Sequence, residues 1–200
     1  MVASPVPSEL ARIDAAAWVQ LAAAADDPQH GFRYINLCSV DASSRPQARM
    51  VVLRHADVAR RLLEIHTDVR SAKWRELAAN PQATALGFCP QARLQLRLQG
   101  LAELHAPASE RAERAWQTLP AWTRQTYAGG PPGDELAFDA AREAAPGAAA
   151  HEADGKAHFG VVTFRAEALD WFQLQRQGNR RACFAYGADG ALAGSQWVNP

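Results

Sequence analysis

Between residues 49 and 81 the chain collects the residue types that hold an anion. The run Arg49-Met50-Val51-Val52-Leu53-Arg54 is β-branched and apolar in the middle and cationic at both ends, which suits a buried strand with polar tips over 47–54. Residues 61–67, ending in His66 and Thr67, read as its antiparallel partner. The turn Asp68-Val69-Arg70-Ser71 then opens a helical pattern with Trp74 and Leu77 on one face, stopping at Asn80-Pro81; Ser71 or Asp68 is the expected N-cap. A helix N-terminus offers unpaired N–H groups and a positive dipole end, and Thr67, Arg70, Ser71 and Lys73 add hydroxyls and cations beside it. A phosphate suits such a place. The plainer alternative is a set of solvated charges around an ordinary cap, since no glycine-rich loop sharpens the signal.

The elements that must position these residues follow from periodicity. Residues 5–25 begin as a loose tail and become an amphipathic helix capped by Ser8, with Leu10, Ile13, Ala17, Trp18 and Leu21 near a 3.6-residue spacing. A strand over 34–40 turns through Asp41 to Pro46 into the strand described above. After Pro81 come a short strand over 83–88 and then the clearest alternation in the chain: Leu94, Leu96 and Leu98 point one way, and Arg93, Gln95, Arg97 and Gln99 the other, until Gly100 interrupts. That polar row reads as a solvated face, or else as the wall of a ligand site or subunit interface. A second amphipathic helix, over 108–119, is capped by Ser109. Residues 120–155, rich in Ala, Gly and Pro, are expected to be a long flexible loop with at most one short helix over 135–144, serving as an insertion or as a lid. Strands return over 159–165, 168–174 and 181–186. There is no βαβ repetition and no GxGxxG, so the fold class is mainly β (α+β), an antiparallel barrel with peripheral helices, in a single domain over 1–200.

Composition removes several function classes. Twenty-one basic residues balance twenty-one acidic ones, so no global field favours nucleic acid or an anionic membrane. The N-terminus has no signal-peptide pattern and no window approaches a membrane span, which leads us to expect a cytoplasmic protein. Cys38, Cys89 and Cys183 are odd in number and widely spaced, and read as reduced core residues. The six histidines make no ligand pair at helical spacing, so no metal is expected, and neither GxSxG nor an activated cysteine is present. A phosphate pocket without a built-in nucleophile points to a cofactor that carries the chemistry.

These motifs, taken as a series, resemble the FMN-binding core of the pyridoxine (pyridoxamine) 5′-phosphate oxidases. RMVVLR, then HTDVRSAK over 66–73 and ELAANP ending at Pro81, are joined by Gln95-Leu-Arg-Leu-Gln-Gly100, by Leu169-Asp170-Trp171-Phe172 and by the ending Trp197 to Pro200. The resemblance implies a split β-barrel that binds FMN, a homodimer, and two flavin sites at the interface with residues from both subunits. It implies that Arg49, Met50, Val51 and Val52 line the flavin ring and reach its phosphate, and that Arg54 approaches flavin and substrate where the family has a Lys. His66 and Thr67 match a Tyr-Thr pair on FMN, Lys73 a phosphate-binding Lys and Gln95 a Gln on the ring. Trp171 or Phe172 matches a ring-contacting Trp, and Arg181 the Arg that follows it. Arg70 stands in for an Arg that is Ala72 here.

The chain departs from the family's substrate site. The Tyr and Arg that precede a Pro fall near Ala115 or Trp116 and at Leu119, and the R-L-H trio, around residues 177–180, is not reproduced. Losing a bidentate arginine removes a charge-assisted contact of about 1.5–3 kcal/mol. The resemblance thus implies an FMN-dependent oxidoreductase acting on a small molecule, with an altered substrate site. The alternatives are an enzyme in which NAD(P)H reduces the flavin to reduce another small molecule, or a non-catalytic flavin-binding protein. No acid or base stands out in the sequence.

Overall fold

The computed structural model describes residues 7–133 and 155–200. In chain order these form helix α1 (Glu9–Asp26), strands β1 (Tyr34–Val40), β2 (Pro46–Asp57) and β3 (Leu62–Asp68), helix α2 (Ala72–Ala79), strands β4 (Gln82–Cys89) and β5 (Leu94–His105), helices α3 (Glu110–Thr118) and α4 (Ala121–Gln125), and strands β6 (Phe159–Gln173), β7 (Arg180–Tyr186) and β8 (Leu192–Val198). All strand pairs are antiparallel, in the order β3-β2-β1-β4-β5-β6-β7-β8, and β3 also pairs with β6. Six strands therefore close a barrel. The first half of β6 closes it against β3, and the second half carries β7 and β8 outward as an extension.

The alternation read in β5 places Leu94, Leu96 and Leu98 inside, at no more than 2 % exposure, among Leu37, Leu53, Leu63 and Phe164. Closure demands one close approach. A Cβ on Gly100 would lie 2.0 Å from the Arg165 carbonyl oxygen, at the bulge where β5 shifts register against β6, so only glycine lets the two backbones meet. Ser8 caps α1 by accepting from the Ala11 N–H, and Trp18 and Leu21 enter the core. Beneath that helix Arg61 donates to Asp14 at 2.6 Å, Tyr186 donates to Asp14 at 2.5 Å and Trp18 donates to Tyr186 at 2.9 Å. This network fastens α1 to the β2–β3 turn and to β7.

Four expectations need adjustment. Residues 159–173 form one strand rather than two, because β6 stays paired with β5 on both sides of the bulge opposite Gly100 and so runs from its barrel half into the extension. β8 carries no alternating apolar face: it is an exposed edge held by backbone pairing to β7, so no periodicity announced it. Within 120–133 the loop begins with α4, while the helix expected over 135–144 lies outside the described residues. Of the cysteines, all free, only Cys89 is buried, and Cys38 and Cys183 are half-buried. Among the described residues no helix is long and apolar enough to cross a membrane, and no group of three or more His, Cys, Asp or Glu could hold a metal ion.

Candidate functional site

Two cavities meet at a common wall made by Arg54 of β2 and His66 of β3. Strand alternation explains the wall: Leu53 and Ile65 are buried in the barrel, so their neighbours Arg54 and His66 turn outward.

The first cavity, about 330 Å³, is an open cleft between Met50, Val51 and Val52 on one side and Thr67, Asp68 and Lys73 on the other, with Thr126, Tyr127 and Pro132 at its border. Lys73 donates from Nζ to the Thr67 hydroxyl at 2.9 Å, and burial, with Arg49 adding repulsion, lowers its pKa from the ordinary lysine value. Burial also pushes the Tyr127 phenol up to about 12, against the opposing effect of Arg54. The Tyr127 ring packs edge-on against Phe159 at 5.1 Å.

Three expected residues stand outside this cleft and support it. Arg49 binds the Glu76 carboxylate at 2.6 Å and the Ser39 hydroxyl. Arg70 forks onto Asp68, at 3.0 Å from Nε and 2.6 Å from a terminal nitrogen, and also donates to the Tyr127 carbonyl at 3.2 Å. It thereby pins the segment that brings Tyr127 to the cleft. Ser71 occupies the N-cap position of α2 without capping by its side chain, because its hydroxyl donates to the Asp68 carbonyl at 2.6 Å.

The second cavity, about 410 Å³, is cationic. Arg33, Arg54, Arg111 and Arg114 line it with His55 and His66 against one carboxylate, Glu64. Arg33 is spent on the carbonyls of Ala25 and of Leu53, the latter at 2.9 Å. Arg111 donates to Glu64 at 2.7 Å, and the other Glu64 oxygen lies 3.2 Å from His66 Nε2. Burial works against the ionised Glu64, but hydrogen bonds from His66 and Arg111 outweigh it and lower its pKa. The Arg54 side chain makes no hydrogen bond among the described residues, and burial first, then Arg33, lowers its pKa. Ala115 and Leu119, at the positions of the expected substrate-binding Tyr and Arg, sit in this same cavity, and the charge comes instead from Arg111 and Arg114 elsewhere on α3. Signals for these residues were present: Glu64 and His66 alternate with buried Leu63 and Ile65, and Arg111 and Arg114 share a helix face.

Gln95, Trp171 and Arg181 line neither cavity. Arg181 forks onto Asp170 at 2.9 and 2.7 Å, and Arg97 reaches the same carboxylate at 2.8 Å. Trp171 is buried edge-on against Trp197, while Gln95 pairs in register with Phe88 and Phe172. One register row, Met50, Asn36, Leu86, Arg97, Asp170 and Cys183, crosses the outer face from the cleft to this second group. Four strand spacings separate Met50 from Asp170, roughly 19 Å along the sheet. A single copy of the chain does not bring the two groups together.

Comparison with known proteins agrees with this architecture. Residues 15–106 match the family model described as pyridoxamine 5′-phosphate oxidase, FMN-binding domain. The chain is 32 % identical over 90 residues to a pyridoxine/pyridoxamine 5′-phosphate oxidase of Pseudomonas paraeruginosa, covering 45 % of this chain and 40 % of that one. It is 33 % identical over 90 residues to the corresponding enzyme of Burkholderia mallei, with the same coverage. The match thus spans about two fifths of the length of these relatives. Among solved structures, a pyridoxamine 5′-phosphate oxidase-related, FMN-binding protein of Nostoc punctiforme superposes with a TM-score of 0.74 at 21 % identity, covering 98 % of this chain and 99 % of that one. PhzG of Burkholderia lata, in complex with tetrahydrophenazine-1-carboxylic acid, superposes with a TM-score of 0.72 at 18 % identity, covering 100 % and 98 %. Residues 15–106 are thus similar to the FMN-binding domain of the pyridoxamine 5′-phosphate oxidases, a match that points to FMN as the cofactor, and the whole chain shares the fold of the Nostoc protein.

Proposed function

We propose that the protein is an FMN-dependent oxidoreductase that acts, with an altered substrate site, on a small molecule carrying an anionic group. The observation that supports this best is Lys73, an ammonium drawn out of water in a cleft whose opposite side is apolar strand. Its hydrogen-bond partner is one hydroxyl, and Asp68, which shares the cleft, is taken up by Arg70. A phosphate would complete the set, so the residues present fit FMN.

In this reading Lys73 and Thr67 hold the phosphate, residues 50–52 line the ring, and Tyr127 limits water at its edge. Bound FMN supplies a two-electron acceptor. Arg54 and His66, common to both cavities, stand between ring and substrate, and the arginines of the second cavity orient the substrate's anionic group. Gln95, Trp171 and Arg181 would act on the flavin of a second copy. Tyr34, Met50 and Phe88, 45 to 58 % exposed on the outer face, favour such a homodimer. We take residues 1–200 as one domain and, with three free cysteines, place it in the cytoplasm.

The missing arginine at Leu119 favours a second reading, in which NAD(P)H reduces the flavin to reduce another small molecule. A non-catalytic flavin carrier is the third. The visible spectrum of the purified protein, with the flavin released by heat identified as FMN, tests the cofactor. Anaerobic mixing with pyridoxamine 5′-phosphate or with NADPH then separates the readings, and a flavin reduced by neither supports storage or sensing. Lys73→Ala is expected to weaken FMN about tenfold or more while changing riboflavin affinity little. Equal weakening of both would remove Lys73 from the phosphate.

A further inference from the structure

His66 is a polar group the site has not yet used in full. Its side chain is 6 % exposed, Nε2 faces the Glu64 carboxylate, and Nδ1 is buried with no hydrogen-bond partner among the described residues. Because Glu64 is held ionised, Nε2 must carry the hydrogen, which leaves the lone pair of the neutral ring on Nδ1. Arg111 fixes Glu64 from the other side, so the tautomer is set by a chain of two hydrogen bonds. An unpaired buried nitrogen costs free energy that a ligand can return, and a protonated Nδ1 would donate to an anionic oxygen.

The surroundings supply the anion's other partners. Lining the same cavity as His66 are Glu64 from its own strand, Arg54 and His55 from β2, Arg33 from the approach to β1, and Arg111 and Arg114 from α3. Asp68, Lys73 and Tyr127 face it across the first cleft, His105 of β5 stands beyond Glu64, and β6 presents the Phe159 ring edge-on at 5.1 Å.

We propose that the arginine-lined cavity binds a carboxylate or phosphate group together with one proton, held on His66 Nδ1 and donated as a hydrogen bond to the ligand, while Glu64 accepts from Nε2. The proton comes from bulk water, the ligand stays ionised and no bond within it changes. That this ligand is the substrate rests on the functional reading above; the coupling of anion and proton does not. His66 would thus select ligands by charge and make their affinity fall as pH rises.

The test follows the histidine ring resonances of the purified protein, with its flavin as isolated, from about pH 5.5 to about pH 9. His66 is identified by its absence in His66→Gln. Saturating benzoate is expected to raise the His66 titration midpoint by about one unit, and benzoate affinity to fall about tenfold in total as pH rises from below the free midpoint to above the bound one. Phenyl phosphate, a dianion above about pH 7, distinguishes a phosphate site by binding more tightly with the same coupling. In His66→Gln the pH dependence should disappear, and in Glu64→Gln, which leaves the ring in place, the rise should shrink. An unmoved His66 with either probe bound, no binding of either probe, or an unchanged pH profile in His66→Gln would each overturn the inference. FMN bound beside an unmoved His66 would leave the flavin reading intact. A benzoate-linked rise in a protein that takes no FMN would do the reverse.

Discussion

Lys73 is costly to the fold, a cost that the phosphate proposed for its cleft would relieve. Its depressed pKa means that the unfolded chain binds that proton more readily, so the cofactor-free fold carries the full penalty at neutral pH. The penalty is relieved only as pH rises from the folded value toward about 10.4. Lys73→Met should therefore raise the thermal stability of the cofactor-free protein at neutral pH and still weaken FMN, as scanning calorimetry with and without FMN would record. Asp170 has the opposite sign. Hydrogen bonds from Arg181 first and Arg97 next lower its pKa, against the effect of burial. Its contribution to stability is complete above about pH 5 and is lost as pH falls through the folded value. Asp170→Asn should flatten the decline in urea midpoint between about pH 5 and about pH 3; an unchanged slope would mean that the pairing with Arg97 and Arg181 is not linked to folding.

At the scale of elements, the site depends on two short constraints in the sequence. Gly100 lets β5 pass against β6 at the bulge, and a methyl group there meets a backbone carbonyl that cannot move aside. Gly100→Ala is expected to cost about 2 kcal/mol or more in urea denaturation. Ser109 caps α3, accepting from the Ala112 N–H, and α3 carries both Arg111 and Arg114. Ser109→Ala should cost about 1 kcal/mol of stability and leave FMN affinity unchanged, because α3 lines the second cavity and not the first.

For the whole molecule the question is how residues roughly 19 Å apart along one sheet could serve one cofactor. In the homodimer proposed above, a second copy placed on the exposed outer face would answer it. Phe88 lines neither cavity yet is 45 % exposed on that face, beside Gln95 in register. Phe88→Asp should shift the protein from dimer to monomer in sedimentation experiments and weaken FMN in parallel. Full FMN affinity in a monomeric variant would show that one chain suffices.

What the sequence determined by itself lies where physical pattern is local. Alternation set β5 and its inward leucines, apolar runs bounded by turns set β1 to β4, the serine caps set α1 and α3, and the order of motifs identified the split barrel and its flavin. Local pattern could not announce β8, an exposed edge with no apolar face, or α4 at the start of a stretch rich in Ala, Gly and Pro. Only the tertiary structure decided which charges are free. In sequence Arg49, Arg54, Arg70 and Lys73 look alike, but folding gives Arg49 to Glu76 and Arg70 to Asp68, leaving Lys73 with one hydroxyl and the Arg54 side chain without a hydrogen bond among the described residues. The same is true of Glu64, His66 and Arg111, which become a chain of hydrogen bonds only because α3 packs over the start of β6 beside β3. Partners distant in sequence set the charge balance of the site, and no spacing along the chain encodes them.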